Sequence, residues 1–314
     1  MTGSAADPVV DVCVLTWNTR ATAVGALQHL TASDQGIPYR IFVRDNGSDD
    51  GTAQAIAEAL PTVDLVRGTE NLGYAAGMNA LIGRGTAPYV LLLNSDAWPE
   101  DGAVRRLVDA CRAHADAGLV VPRVLRPDGT LEHTTWPWPT LRLALLCLLG
   151  LHRALPRALA SRLLYPPAWR HDRSRYVSWA VGAAWLVPRT ALATVGRLDE
   201  RFFMYGEDVD WCLRARRHGL RVWFDTDAVV RHVGNASADQ RYAGDVAAMK
   251  AAASDRVMRL HHGPVTAQLY RLLDALFYAR LGLVARARGD HATAAHCGSV
   301  VRGHLRHPAD GIRP

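Results

Sequence analysis

Lysine is almost missing from this 314-residue chain. Lys250 is its one example, so the positive side of its formal net charge of +6 is nearly all arginine. A skew of that kind follows from genomic base composition, and it excludes reading every arginine as a phosphate clamp. Long apolar runs are missing too. The longest, Leu143 to Leu151, is too short to span a bilayer. Met1 to Pro8 has neither a basic stretch nor an apolar one, so no signal peptide is expected. Cysteine is sparse. Cys13, Cys111, Cys147, Cys212 and Cys297 form no CxxC pair and are odd in number. That favours buried free thiols in a reducing compartment over a disulfide framework or a zinc site. No internal repeat, low-complexity tract or long linker occurs. The expected location is cytoplasmic, with peripheral contact at the inner face of the cell membrane left open. No nucleic-acid motif is visible, and the arginines are spread rather than clustered with aromatics. The pI of about 9.3 therefore points to a nucleotide or a lipid head group as the anionic partner, not to nucleic acid.

What is present is enough for a large core. Hydrophobic residues make up 49% of the chain and charged residues 21%, which excludes global disorder. Val9 to Trp17 is a continuous apolar run of strand length, as expected of a strand buried on both faces. A helix is predicted over about 21–32, then a strand over 39–44, a turn-rich loop over 45–52 and a helix over 53–60. Further strands are predicted over 63–66 and 89–93, with a helix between them to about Ile82. The next helix spans 99–114, with Pro99 in its first turn. This alternation predicts an α/β fold with an open, mostly parallel sheet and right-handed crossovers. Ligands of such sheets bind beyond the carboxyl ends of the strands, which is where Asn18, Asp45 and Asp96 fall.

The pattern then changes. Residues 120–136 read as a hairpin turning at Asp128-Gly129. Residues 134–175 do not alternate cleanly. Leu141 to Leu164 mixes leucines with Arg142, Arg153, Arg157 and Arg162, ahead of Tyr165-Pro166-Pro167. That segment fits either a helical insert packed on the domain or an amphipathic pair lying at a membrane surface. Val177 to Pro188 returns to strand character, with Gly182-Ala183-Ala184 at its centre, small enough for a sugar to approach. Glu207, Asp208 and Asp210 open a predicted helix to His218, and a strand over 221–224 leads toward His232. Tyr270 to Arg288 has an amphipathic look, and 302–314 reads as a frayed tail.

Each local signal has an ordinary explanation. Asp45-Asn46-Gly47-Ser48 is a common Asx turn. Acidic residues at a helix start are common caps that suit the macrodipole. A lone His232 among valines is most often a core histidine. Their order carries more weight. The set runs Thr16-Trp17-Asn18, Asp45-Asn46-Gly47-Ser48, Asn71-Leu72-Gly73 with Gly77 and Asn79, and Asn94-Ser95-Asp96. It continues through Gly182-Ala183 and Phe203 to Asp210 with Arg214, and ends at His232 with Gly234 and Ser237.

Over roughly residues 8–237 this set resembles the family 2 inverting glycosyltransferases of GT-A fold, and within them the rhamnosyltransferase-like branch. The resemblance implies a GT-A domain over 1–237, with a variable acceptor-side or membrane-proximal insert over 131–176. It leaves 238–314 as a basic helical extension. It implies that Asp45 accepts the N3–H of a uracil or thymine, with Thr16 and Trp17 lining the base. Asn18, Asn46, Ser48, Asn71, Gly73, Gly77, Asn79, Asn94, Ser95, Gly182 and Ala183 complete the implied donor site. Asp96, with His232, would hold Mn²⁺ or Mg²⁺ against the diphosphate. Asn94 stands where a full Asp-x-Asp has its first acid, which bears on metal affinity. Asp208 is the implied base and Glu207 its support, with the reverse assignment open. Asp210 and Arg214 are structural by this reading.

The implied activity moves a sugar from a dTDP- or UDP-sugar to a lipid-linked or polymeric glycan acceptor, with L-rhamnose from dTDP-rhamnose first and a UDP-hexose as alternative. Two remoter classes stay open. A nucleotidyltransferase would need the Gly-rich loop that Thr16-Trp17-Asn18-Thr19 lacks. A non-catalytic carbohydrate- or nucleotide-binding module would bind donor without turnover.

Overall fold

The apolar run at the N-terminus becomes β1 (Val10–Thr16), in which only Leu15 is incompletely buried. It is followed by α1 (Arg20–Ala32), β2 (Tyr39–Asp45), α2 (Thr52–Ala59), β3 (Asp64–Arg67), α3 (Tyr74–Ile82) and β4 (Tyr89–Asn94). Next come β5 (Ala97–Pro99), α4 (Ala103–Ala113), β6 (Ala117–Leu125), β7 (Leu131–Glu132) and β8 (Thr135–Trp136). Then follow α5 (Leu141–Leu148), a 3-10 turn (Leu151–Ala154) and α6 (Arg157–Leu163). The chain continues through β9 (Arg175–Val177), β10 (Trp179–Ala180), β11 (Ala184–Pro188), α7 (Arg189–Val195), α8 (Glu207–Arg217) and β12 (Arg221–His232). It ends in α9 (Val246–Ala287) and α10 (His291–Leu305). This computed structural model describes residues 7–164, 169–234 and 246–305. Tyr165-Pro166-Pro167, Ser237 and the tail beyond Leu305 lie outside the described residues.

The main sheet has the order β3-β2-β1-β4-β11-β6-β12-β5, with β7 on β6 and β9 on β12. β3, β2, β1 and β4 run parallel, and β11 enters antiparallel to β4. This is the mixed, mostly parallel sheet flanked by helices that the alternation predicts. Alternate β1 residues Val10, Val12 and Val14 join Leu27, Leu30, Ile56, Val104 and Leu107 in one core. The other face receives α3, close enough that a Cβ on Gly77 would meet Leu15 Cδ1 at 2.6 Å. At the far edge, buried Asp11 accepts from Ala87 N–H (2.8 Å), Arg189 Nη2 (2.8 Å) and Arg40 Nη2 (3.2 Å), pinning three segments. Arg40 and Arg189 stay partly exposed while Asp11 is buried, so loss of both arginines would leave a buried carboxylate without a cation.

Several expectations are corrected. Pro99 does not start a helix. It ends β5, where it pairs with Val230, and Gly102 with φ +70° turns the chain before α4 begins at Ala103. The strand character of Val177 to Pro188 is divided among the end of β9, β10 and β11, because Trp179 and Ala180 pair with β8. The leucine-rich segment, by contrast, is helical as expected, with Gly150 (φ +74°) and Pro156 separating α5 from α6. The amphipathic stretch from Tyr270 lies in the second half of α9, after the break at Gly263 (φ +83°) and Pro264. Residues 302–305 continue α10 and do not fray.

The chain forms two compact units. The first comprises residues 1–136, 170–203 and 207–237, the second 137–169, 204–206 and 238–314. Of the predicted insert over 131–176, the two ends therefore belong with the sheet, and 137–169 belongs with the C-terminal helices. In the second unit, Arg280 Nη2 donates to Cys147 O at 3.3 Å and ties α9 to α5. His304 bonds Asp274 at 2.8 Å and ties α10 to α9. No helix among the described residues is long and apolar enough to cross a membrane.

Candidate active site

Register gathers the predicted loops. Thr16 pairs with Asp45 and Leu15 with Asn94, so β1, β2 and β4 end at one edge of the sheet. β11 starts beside them with Ala184 paired to Leu93, and Asn94 N–H donates to Ala183 O at 3.0 Å. His232 closes β12 opposite Ala97, one residue after Asp96.

At that edge the polar groups are interlocked. Thr16 Oγ1 lies 2.8 Å from Thr19 Oγ1, which lies 3.4 Å from Ser95 Oγ. The carboxylate of buried Asp45 accepts Ser48 N–H (3.0 Å) and the Ser48 hydroxyl (2.5 Å). Asn18 adopts φ +50°, a left-handed conformation asparagine tolerates. Its N–H donates to Ser48 Oγ and its Oδ1 accepts Asp49 N–H, both at 2.9 Å. The loop carrying Trp17 and the loop carrying Asp45 thus form one wall. Behind it, Asn46 Nδ2 donates to Asn71 Oδ1 (2.8 Å) and Gly73 O (3.3 Å).

Not every predicted donor contact presents a free polar group. Asn79 is buried and committed: it donates to Leu198 O and Glu200 Oε1, and accepts from Leu198 N–H. Gly77 serves the approach of α3 to β1. Gly73 has φ +82°, and a Cβ there would meet Phe203 O at 2.4 Å. Asn46, Asn71, Gly73, Gly77 and Asn79 shape the loops that hold the wall. At Gly182 a Cβ would meet only Tyr74 Oη at 3.5 Å, an ordinary contact.

Asp96 and His232 form the second cluster. His232 Nε2 is 3.1 Å from Asp96 Oδ1 and 3.3 Å from Asn94 Nδ2. Its Nδ1 is 3.0 Å from Glu132 Oε2. Gly234 N–H donates to Asp96 Oδ2 at 3.1 Å. Burial alone would lower the His232 pKa. The hydrogen bonds and charges of Asp96 and Glu132 outweigh it and raise the value to about 9.

Among the described residues no three His, Cys, Asp or Glu side chains converge as a metal site. The donors present still fit a divalent cation. They are one carboxylate oxygen and one imidazole nitrogen in contact, the other ring nitrogen held by a carboxylate, as histidine ligands of metals are commonly held. Two protein donors leave the remaining positions to phosphate oxygens and water. Sequence reasoning missed Glu132, which lies 100 residues from His232 and just beyond the Asp128-Gly129 turn.

The third cluster opens α8. Glu207, Asp208 and Asp210 occupy its first turn. Asp210 is buried against Arg214 Nε (2.8 Å), while Arg214 also donates to Val195 O and Arg197 O, so this pair locks α8 to the preceding loop. Glu207 is buried, and its Oε2 has no hydrogen-bond partner among the described residues. Burial first, then the charge of Asp208, hold its pKa well above the usual carboxylate range. Glu207 is thereby kept toward its neutral form, and Asp208 beside it is half-buried. Tyr74 joins this cluster to the sheet edge. Its N–H donates to Phe203 O (2.7 Å) and its hydroxyl to Gly182 O (3.1 Å). Burial, then the charges of Glu207 and Asp208, raise its pKa and keep it a neutral donor. Tyr74 sits inside the Asn71–Gly77 motif but carries no signal in the sequence that sets it apart.

Known proteins resemble this chain in sequence and in fold. Residues 11–153 match the family described as glycosyl transferase family 2. An N-acetylglucosaminyl-diphospho-decaprenol L-rhamnosyltransferase of Mycobacterium tuberculosis is 33% identical over 211 residues, covering 62% of this chain and 67% of that protein. A low-salt glycan biosynthesis hexosyltransferase of Haloferax volcanii is 26% identical over 156 residues, 48% of this chain and 46% of that protein. A mannosyltransferase of Pyrobaculum calidifontis, solved with GDP-Man and Mn²⁺, superposes with a TM-score of 0.56 at 18% identity. It covers 96% of this chain and 81% of that one, a likeness of fold.

Proposed function

This chain belongs to glycosyl transferase family 2, and from that premise we propose that it transfers L-rhamnose from dTDP-rhamnose to a lipid-linked glycan acceptor, with inversion at the anomeric carbon. The observation that carries the reading is a set of three clusters: Asp45 with Ser48 and Asp96 with His232 at the ends of β2, β4 and β12, and Glu207 with Asp208, linked to Gly182 through Tyr74. A nucleotide sugar needs a base pocket, a diphosphate clamp and a sugar pocket in that relation. The choice of rhamnose and of a polyprenyl-linked acceptor follows the name of the mycobacterial relative.

In this reading Asp45 accepts the N3–H of the thymine, and the Trp17 loop borders the base. Asp96 and His232 would hold a divalent cation, which neutralises charge on the departing diphosphate. Glu132 keeps the Nδ1–H of His232 engaged, so that Nε2 faces Asp96. Asp208 takes the proton of the acceptor hydroxyl as its oxygen bonds to the anomeric carbon. The bond from that carbon to the diphosphate oxygen breaks, and nucleoside diphosphate leaves with the electron pair. One displacement inverts the configuration. Glu207, held toward its neutral form by burial and the charge of Asp208, limits the repulsion a second carboxylate would add.

Thermal-shift measurements with dTDP- and UDP-sugars, with and without Mn²⁺, test the donor assignment. Binding to the folded state stabilises by about 2.7 kcal/mol at a hundredfold excess over Kd. The largest shift is expected for dTDP-rhamnose with Mn²⁺. A UDP-hexose ranking first would replace the donor, and no shift with any nucleotide sugar would overturn the reading.

A further inference from the structure

The second half of α9 is built inside out. Val265, Leu269, Leu272, Leu276 and Leu283 are all exposed, between 46% and 73%. At 3.6 residues per turn they fall within a sector about 60° wide, a ridge roughly 27 Å long. The residues buried on the same stretch are small, Ala267, Gly282 and Ala285, on the side turned away from the ridge. An ordinary surface helix presents the reverse. Leu145 on α5, which Arg280 ties to α9, and Leu149 just after it are 46% and 57% exposed.

Charge decides what covers this face. The described residues of the second unit hold 12 of the chain's 36 lysines and arginines and only 3 of its 30 acids, a net of +9. The rest of the chain holds 24 and 27, a net of −3. Exposed Arg142, Arg153, Arg157 and Arg162 lie on or beside α5 and α6, and exposed Arg286 and Arg288 lie at the end of α9. A second copy of this chain would bring a like charge against its own. An anionic lipid surface would bring the opposite charge and accept the leucines between its head groups.

We propose that the α9 ridge, with its flanking arginines, is a docking surface for an anionic membrane. The surface itself stands on the ridge and the charge partition. That the membrane is the one carrying the acceptor rests on the function proposed above.

Flotation of the full chain with vesicles tests this, comparing phosphatidylcholine alone with the same lipid containing about 30% phosphatidylglycerol. Binding is expected only to the anionic vesicles and is expected to weaken with salt. The double variant Leu272→Glu, Leu276→Glu should lose roughly tenfold in partitioning, with Tm unchanged and transfer to a short soluble acceptor retained. Equal binding of the variant, absence of binding to anionic vesicles, or a solution dimer that the variant dissociates would each overturn the proposal. Loss of transfer by the wild-type chain with vesicle binding intact would overturn the function and leave the docking surface standing.

Discussion

Asp208→Asn is expected to lower kcat by about 10³-fold or more while donor binding stays within a few-fold of wild type, since general-base catalysis typically supplies 10²–10⁴. The amide keeps the size and the N-terminal position of the side chain on α8, so the helix and the Asp210–Arg214 clamp should persist. What is lost is the carboxylate that can take a proton. Glu207 does not replace it, because burial and the neighbouring charge hold it toward the neutral form. Removing that charge should let Glu207 ionise more readily. A small residual rate rising at high pH in Asp208→Asn is therefore expected, and pH–rate profiles of both proteins measure it. Full activity in the variant would remove Asp208 from the chemistry. Inactivity of Glu207→Gln alone would favour the reverse assignment.

Asp96→Ala is expected to cost about 10³-fold in kcat/KM, in keeping with the several kcal/mol a cation contributes to a developing phosphate charge. It should also abolish the extra thermal stabilisation that Mn²⁺ gives with dTDP. That second readout separates metal binding from folding, because the variant retains the His232–Glu132 contact. Glu132→Gln acts through His232 and should weaken Mn²⁺ by about 10–100-fold. If Asp96→Ala kept the Mn²⁺-dependent shift, the cation would be held elsewhere.

The parallel half of the fold was legible because its strands are buried on both faces. Val9 to Trp17 and Tyr89 to Leu93 are continuous apolar runs, and the loops after them begin with Asn18 and Asn94. The antiparallel half was harder to read. β5, β8, β9 and β10 are three residues or fewer, too short for any periodicity to show. Pro99 signals a helix start by composition, yet the pairing with β12 overrides it. The site follows the same division. Asp45, Asp96, Glu207 and Asp208 stand in contiguous motifs at strand or helix ends and could be found from them. Glu132 and Tyr74 act through contacts made across 100 and 108 residues, to His232 and Gly182, which no local pattern encodes. Among the loop residues, the sequence could not separate Asn79, spent on Leu198 and Glu200, from those at the edge of the site.

The most direct test of the central claim is the stereochemistry and yield of a single turnover mixture. The full chain is incubated with dTDP-rhamnose, Mn²⁺ and a polyprenyl-diphosphate-linked N-acetylglucosamine analogue, and the product is read by NMR of its anomeric proton and carbon. The expected result is one new glycosidic linkage of configuration opposite to the donor's, formed together with one equivalent of dTDP. Retention of configuration, or donor bound without any product, would contradict a single displacement driven by Asp208.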